Sequence, residues 1–264
     1  MKAEQLFDVR GHAAFVTGAA SGIGLAMAEV MAANGAAVTL ADINADTLAA
    51  AEARLRAAGG EVDSVVLDVK DLDRLRAAVD ATAKKRGRLD AVFANAGISA
   101  GPGIGFTPAG GIEAIALASW QNVLDINLTS VMVTLQTATP HMKARRYGRM
   151  IVTASVAGLK CEPLCGYAYT ATKAAVVNLV RHAATELASF NIAVNAIAPG
   201  AFFTNIGGGK LRERAIAEKF EAMSPMGRVA STDEMKGLIL LLGSPAASFL
   251  TGQAIAIDGG AMAS

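Results

Sequence analysis

Tyr169 and Lys173 stand four residues apart at the head of a stretch patterned as a helix, so their side chains share one face. A phenol ordinarily titrates at about 10, and an ammonium group held beside it favours the phenolate. The pair is therefore suited to moving a proton near neutrality. A Tyr–Lys pair at helical spacing is by itself ordinary helix surface. Its weight comes from Ser155, which closes an apolar run fourteen residues before Tyr169 and can bring a hydroxyl to the same substrate oxygen.

A second group of residues suits a nucleotide. Thr17-Gly18-Ala19-Ala20-Ser21-Gly22-Ile23-Gly24 follows the first apolar run and opens a helical one. Glycine there permits a tight turn and lets backbone N–H groups approach a pyrophosphate at a helix N-terminus. A lone glycine pattern is weak, but its position between a first strand and a first helix makes it credible. Asp42 ends the second apolar run, 24 residues after Gly18. A carboxylate there can accept hydrogen bonds from both adenosine ribose hydroxyls. It selects NAD, because a 2′-phosphate would meet like charge and the loop offers Ser21 rather than a compensating cation. Asp42 also suits capping of the next helix. Asp68, ending the third run, fits adenine contact or helix capping almost equally.

Positioning these groups requires alternating strands and helices, and the pattern supplies them. Strand-like runs cover Ala13 to Thr17, Ala36 to Ala41, Glu61 to Asp68, Leu89 to Asn95, Arg149 to Ser155, Ile192 to Ala198 and Ala254 to Asp258. Helical patterns cover Gly22 to Asn34, Ala45 to Ala58, Leu72 to Arg86, Ser119 to Arg145, Tyr169 to Ser189 and Thr232 to Leu242. Strict alternation implies right-handed crossovers and a parallel sheet covered on both faces. Gly18, Asp42, Asn95, Ser155 and Pro199 all fall at or just past the carboxyl ends of these strands, the edge where doubly wound sheets bind ligands. Two stretches escape the alternation, Ile98 to Ala118 and Gly200 to Pro225. Loops this long are usually functional. The first is as readily a tolerated surface insertion, whereas Gly207, Gly208 and Gly209 make the second a mobile cover.

Composition removes several function classes. The 264 residues carry 24 Lys and Arg against 23 Asp and Glu, and aromatics are 5%, so the basic footprint and stacking surface of nucleic-acid binding are missing. Hydrophobic residues are 53% and charged ones 18%, which excludes a disordered or solvated tail. Uninterrupted apolar runs such as Leu238 to Leu242 fall far short of the roughly 20 residues of a membrane span. With no apolar signal region after the amino terminus, a cytoplasmic location is the expectation. Cys161 and Cys165 have no zinc-site spacing and read as free thiols in a loop, and no metal is expected. His12, His141 and His182 show no pairing that would activate either thiol.

With the glycine loop, Asn95-Ala96-Gly97, Asn127, Ser155, the Tyr169–Lys173 pair, Pro199-Gly200 and the closing Gly252 to Gly260 segment in order, the chain resembles the short-chain dehydrogenase/reductase family, of the single-domain NAD-type kind. The likeness covers essentially all of residues 1–264. It implies an α/β fold, a Rossmann-type doubly wound sheet of seven parallel strands with helices on both faces, usually assembled as a homotetramer. It further implies hydride transfer between NAD(H) and a carbonyl or carbinol carbon of a small-molecule substrate. By matching position, Tyr169 is the acid/base, Ser155 bonds the substrate oxygen, Lys173 binds the nicotinamide ribose while lowering the Tyr169 pKa, and Asn127 holds a water of the proton relay. Asn127 can equally bond a neighbouring backbone. The implied cofactor set is Gly18, Ser21, Gly22, Ile23, Gly24, Asp42, Asp68, Val69, Asn95, Ala96, Gly97, Tyr169, Lys173, Pro199, Gly200 and Thr204, the last against the carboxamide.

A secondary alcohol dehydrogenase or ketone reductase is the leading function. A 3-oxoacyl thioester reductase is the rival, with Lys143, Arg145, Arg146 and Arg149 offering a basic patch to an acidic carrier protein. Asp42 speaks against the NADPH such reductases commonly use, and Phe190 stands where a docking Arg is typical of them. A catalytically silent nucleotide-binding regulator has no need of Ser155, Tyr169 and Lys173 together. Few charges lie in the substrate loops, Ile98 to Ala118, Val156 to Gly166 and Gly200 to Pro225, so an uncharged, moderately apolar substrate is expected. The Ala-rich surface of Ala174 to Ala188 and the carboxyl-terminal segment are expected between subunits.

Overall fold

Apolar runs with no polar face, such as Ala13–Thr17, need a layer on each side. The computed structural model, which describes every residue except Met1, Ala100, Pro102, Ile104 and Ser264, provides both layers. A short α1 (Ala3–Leu6) precedes β1 (Ala13–Thr17), α2 (Gly22–Ala33), β2 (Ala37–Asp42), α3 (Ala45–Ala57), β3 (Val62–Val66), α4 (Leu72–Arg86) and β4 (Ala91–Ala94). Then come α5 (Leu117–Leu124), α6 (Ser130–Arg145), β5 (Gly148–Thr153), α7 (Tyr167–Leu187), β6 (Ile192–Pro199), α8 (Arg214–Glu221), α9 (Lys236–Gly243) and β7 (Ala254–Ile257). The seven strands form one sheet in the order β3-β2-β1-β4-β5-β6-β7, with every neighbouring pair parallel. This is the Rossmann-type arrangement expected.

Successive strand residues feed opposite cores. Phe15, Val92 and Ala94 pack with α4, α6 and α7, whereas Ala14, Val16, Ala91 and Phe93 pack with α2, α3 and α9. Both faces are buried, which is why these strands show no alternation of apolar and polar residues. Helix starts follow local chemistry: the Asn44 side chain accepts from Thr47 N–H at 3.0 Å, and Asp71 accepts from Arg74 N–H at 3.1 Å. Gly87, at φ +65°, ends α4 in the left-handed conformation.

Three expectations change. The long helix expected from Ser119 to Arg145 is interrupted by a π-turn over Asp125–Thr129, which inserts one extra residue between α5 and α6. The carboxyl-terminal helix begins as a tight 3₁₀ turn over Thr232–Met235, capped reciprocally by Ser231 and Glu234. The stretch from Gly200 to Pro225 is not all loop, since α8 lies within it. This excursion is pinned at its base, where Phe203 N–H donates to Ala230 O and Ala230 N–H to Ala201 O, each at 3.0 Å. Gly207, Gly208 and Gly209 all have positive φ, 63°, 75° and 73°, a run only glycine adopts without strain. Across from it, the Phe106 ring of the other long loop meets Phe220 of α8 at 6.3 Å between centroids. Among the described residues no helix is long and apolar enough to cross a membrane.

Candidate active site

The turn after β1 is built by close approach. Gly18 and Gly22 have φ +67° and +56°, and a Cβ on Gly24 would collide with the Gly18 carbonyl oxygen. Gly24 thus lets α2 pack under the turn rather than facing a ligand. The Ser21 side chain makes no capping bond at the start of α2, so its hydroxyl and the helix N-terminus present donors together. Asp42 is a ligand to this turn as well, accepting from Ala20 N–H and Asn44 N–H, both at 3.0 Å. It does not cap α3, a task Asn44 performs. Asp68 does not cap α4 either; it accepts from Lys70 N–H at 2.9 Å, leaving its edge toward the cavity.

Asn95 ties the three central strand ends together. Its amide donates to Thr17 O at 3.0 Å, its Oδ1 accepts from Thr153 Oγ1 at 2.9 Å, and its own N–H donates to Thr17 Oγ1 at 3.0 Å. These bonds fix the spacing between the glycine turn on β1 and the Ser155 turn after β5.

Ser155 Oγ accepts from Ala157 N–H at 3.2 Å, which directs the serine O–H away from the backbone. The Lys173 ammonium donates to Thr153 O at 2.6 Å and lies 5.5 Å from the Tyr169 ring centroid. Burial pushes the Tyr169 phenol up to about 12, with Ser155 acting in the opposite direction. Burial also brings Lys173 down to about 8. Helical spacing puts the ammonium beside the phenol, but desolvation outweighs it and the phenol is raised rather than lowered. Asn127, in the π-turn and fully buried, donates to Ile98 O and accepts from Ile98 N–H, both at 2.9 Å, and also donates to Thr172 Oγ1.

A single cavity of about 1300 Å³ joins these parts. Its wall includes Gly18, Ser21, Gly22, Ile23, Asp42, Asp68, Val69, Asn95, Ala96, Gly97, Ser155, Tyr169, Lys173, Pro199, Gly200 and Thr204. Gly24 and Asn127 stand behind that wall. Thr204, 9% exposed, packs its side chain against Gly22.

The family model described as enoyl-(acyl carrier protein) reductase matches residues 18–262. The chain is 38% identical over 249 residues to the cis-4-hydroxycyclohexanecarboxylate dehydrogenase of Sinomonas cyclohexanicum, covering 94% of this chain and 95% of that protein. A short-chain type dehydrogenase/reductase from Mycobacterium marinum superposes with TM-score 0.89 at 33% identity, over 98% of this chain and 99% of the other. This chain belongs to the short-chain dehydrogenase/reductase family. A further member, a gluconate 5-dehydrogenase from Burkholderia cenocepacia in complex with NADP and tartrate, has TM-score 0.90 and 31% identity over 100% of both chains.

As a short-chain dehydrogenase/reductase the protein is an oxidoreductase of hydroxyl and keto groups that uses a nicotinamide cofactor. Several of its cavity residues were not legible in advance. Glu162, Phe106, Phe220 of α8 and the Arg228–Glu234 pair line the wall, and their approach to it depends on distant partners. Phe106 and Phe220 fall in the two long irregular stretches and Glu162 in the substrate loop Val156 to Gly166, whereas Arg228 and Glu234 carry no such signal. The basic patch expected to meet a carrier protein loses Arg149 to the interior, while Arg145 and Arg146 stay exposed. Arg149 is 2% exposed and spends its guanidinium on Ser244 O and Gly148 O, while Lys143 pairs with Glu186 and Arg146 with Ser189 O. These residues cluster where α6 ends and β5 begins, and the cavity lies past the opposite ends of the strands.

Proposed function

We propose that this short-chain dehydrogenase/reductase interconverts a secondary alcohol and its ketone with NAD(H), using Tyr169 as acid/base. The observation that carries the reading is the convergence of Ser155, Tyr169 and Lys173 on the cavity that also holds the glycine turn and Asp42. The residues fit the dinucleotide: left-handed glycines and a free Ser21 hydroxyl at a helix N-terminus suit a pyrophosphate, and Asp42 suits ribose hydroxyls. Gly18, Ser21, Gly22 and Ile23 would hold the pyrophosphate, Asp42, Asp68 and Val69 the adenosine, and Asn95 to Gly97, Lys173, Pro199, Gly200 and Thr204 the nicotinamide half. Bound NAD supplies an acceptor for hydride from the carbinol carbon, and NADH returns it.

The chain's own groups do the rest. Tyr169 Oη takes the alcohol proton in oxidation and gives it back in reduction. Ser155 donates to the same oxygen, where charge develops. Lys173, held on Thr153 O, supplies the positive charge that offsets burial of the phenolate. Asn127 is a positioning residue, because its side chain clamps Ile98 beside Gly97 rather than standing free to hold a water. NAD is favoured over NADP because the adenosine end, Asp42, Ile43, Leu67, Asp68 and Val69, carries two carboxylates and no cation.

Initial rates of NADH formation over a panel of secondary alcohols, diols, sugars and hydroxysteroids test the reading. Turnover of several members is expected, and a protein inert to the whole panel with both NAD and NADP contradicts it. The fully exposed Phe249 and the half-exposed edge strand β7 support a homotetramer. Sedimentation velocity at micromolar protein should find four chains together, and a clean monomer contradicts that assembly.

A further inference from the structure

Glu162 is 5% exposed, yet it lines the cavity that holds Ser155 and Tyr169. Among the described residues its side chain makes one bond, accepting from Leu164 N–H at Oε1 across 3.2 Å, and it has no ion pair. Its second oxygen makes no bond within the protein but is not sealed off, so a nearly buried carboxylate offers an acceptor on the cavity wall. It is most readily explained when a ligand completes its hydrogen bonds.

The position is built rather than incidental. Gly105 N–H donates to Pro163 O at 2.8 Å and Gly103 N–H to Leu164 O at 3.3 Å, so the first long loop braces the Glu162 segment from outside. A Cβ on Gly103 would collide with Pro163 O, which makes this approach possible only for glycine. Inside, Cys165 connects Glu162 to the reaction centre. The Glu162 carboxylate adds to burial in pushing the Cys165 thiol up, and Cys165 in turn raises Tyr169. Cys165 N–H donates to Glu162 O at 3.0 Å, and Glu162, Cys165 and Tyr169 line the same cavity.

A carboxylate only accepts hydrogen bonds, so its complement is a donor, and an anionic substituent would be repelled. Lys173 and Lys210 line the same cavity, and Arg228 and Glu234 cancel one another. A neutral donor suits this mixed field better than a second cation. We propose that Glu162 selects substrates carrying a second hydroxyl near the reacting carbinol, that is, diols or polyols and their hydroxyketones, by accepting a hydrogen bond from that hydroxyl. The assignment rests on Tyr169 marking the reacting carbon.

The test compares cyclohexanol, trans-1,2-cyclohexanediol and trans-2-aminocyclohexanol with NAD, for the wild type, Glu162→Gln and Glu162→Leu. Sites built to bond a substrate hydroxyl discriminate strongly against analogues lacking it, so the wild type should favour the diol over cyclohexanol by at least about 30-fold in kcat/KM. Glu162→Leu should bring that ratio within about threefold, with Glu162→Gln between the two, since its amide oxygen still accepts. A wild-type ratio near one, a ratio preserved in Glu162→Leu, or preference for the amino alcohol over the diol each overturns the proposal. If no alcohol is turned over, the Tyr169 reading fails and Glu162 is judged by binding alone. Calorimetric titration of the diol into the NAD-loaded proteins should then show about 30-fold tighter binding by the wild type than by Glu162→Leu, and equal affinities overturn the assignment.

Discussion

Tyr169→Phe should lower kcat for alcohol oxidation by about 10³-fold, the middle of the range for a positioned general acid or base. The substitution removes one hydroxyl and leaves the ring and its packing in place, so the loss is chemical rather than structural. The phenol is buried enough to be pushed up to about 12, and its proton leaves only when local positive charge assists. Lys173 is the nearby cation, 5.5 Å from the ring centroid, and burial has lowered it to about 8. Oxidation in the wild type should therefore climb with pH as phenolate forms, and reduction should climb in the reverse direction. Both dependences should vanish in Tyr169→Phe, while NADH binding, read by fluorescence titration, stays within about twofold. Equal turnover by wild type and variant would remove Tyr169 from the mechanism.

Asp42 carries the second large effect. Like-charge juxtaposition costs several kcal/mol, and about 1.4 kcal/mol is tenfold. Wild-type kcat/KM should thus favour NAD over NADP by at least about 100-fold. The informative variant is Asp42→Asn. Asp42 also holds the glycine turn through Ala20 N–H and Asn44 N–H, and an Asn keeps an acceptor oxygen there while removing the charge. Discrimination against NADP should fall by at least about tenfold, with a smaller loss of NAD affinity. Adding Ile43→Arg, at a position 66% exposed beside the adenosine end, should bring NADP to parity or better. A wild type that already uses NADP as well as NAD contradicts the role given to Asp42. The relative from Burkholderia cenocepacia in complex with NADP makes this comparison necessary.

The parts legible in the chain alone are those whose chemistry is local. The glycine turn needs only a strand end, a helix start and residues that tolerate positive φ, and all three lie within eight positions, 17–24. The Tyr169–Lys173 relation needs only helical spacing. The alternation of strands and helices determined a parallel sheet, and with it the edge where Gly18, Asp42, Asn95, Ser155 and Pro199 gather, because crossovers have one hand and strand direction is set by the chain. Asp42 and Asp68 suit capping by sequence, but the structure gives that task to Asn44 and Asp71, two and three residues further on.

Tertiary structure decided what depends on distant segments meeting. Asn127 finds Ile98 across 29 positions, and Thr153 finds Asn95 across 58, so neither bond has a spacing to read. Arg149 looks like surface charge in the sequence and is buried against Ser244 O. Glu162 looks like one charge in a loop until Gly103 and Gly105 close over the next two residues, Pro163 and Leu164. The Tyr169 phenol and Lys173 move as far as they do because water is excluded from both, and desolvation is a property of everything packed around a group rather than of its neighbours in the chain.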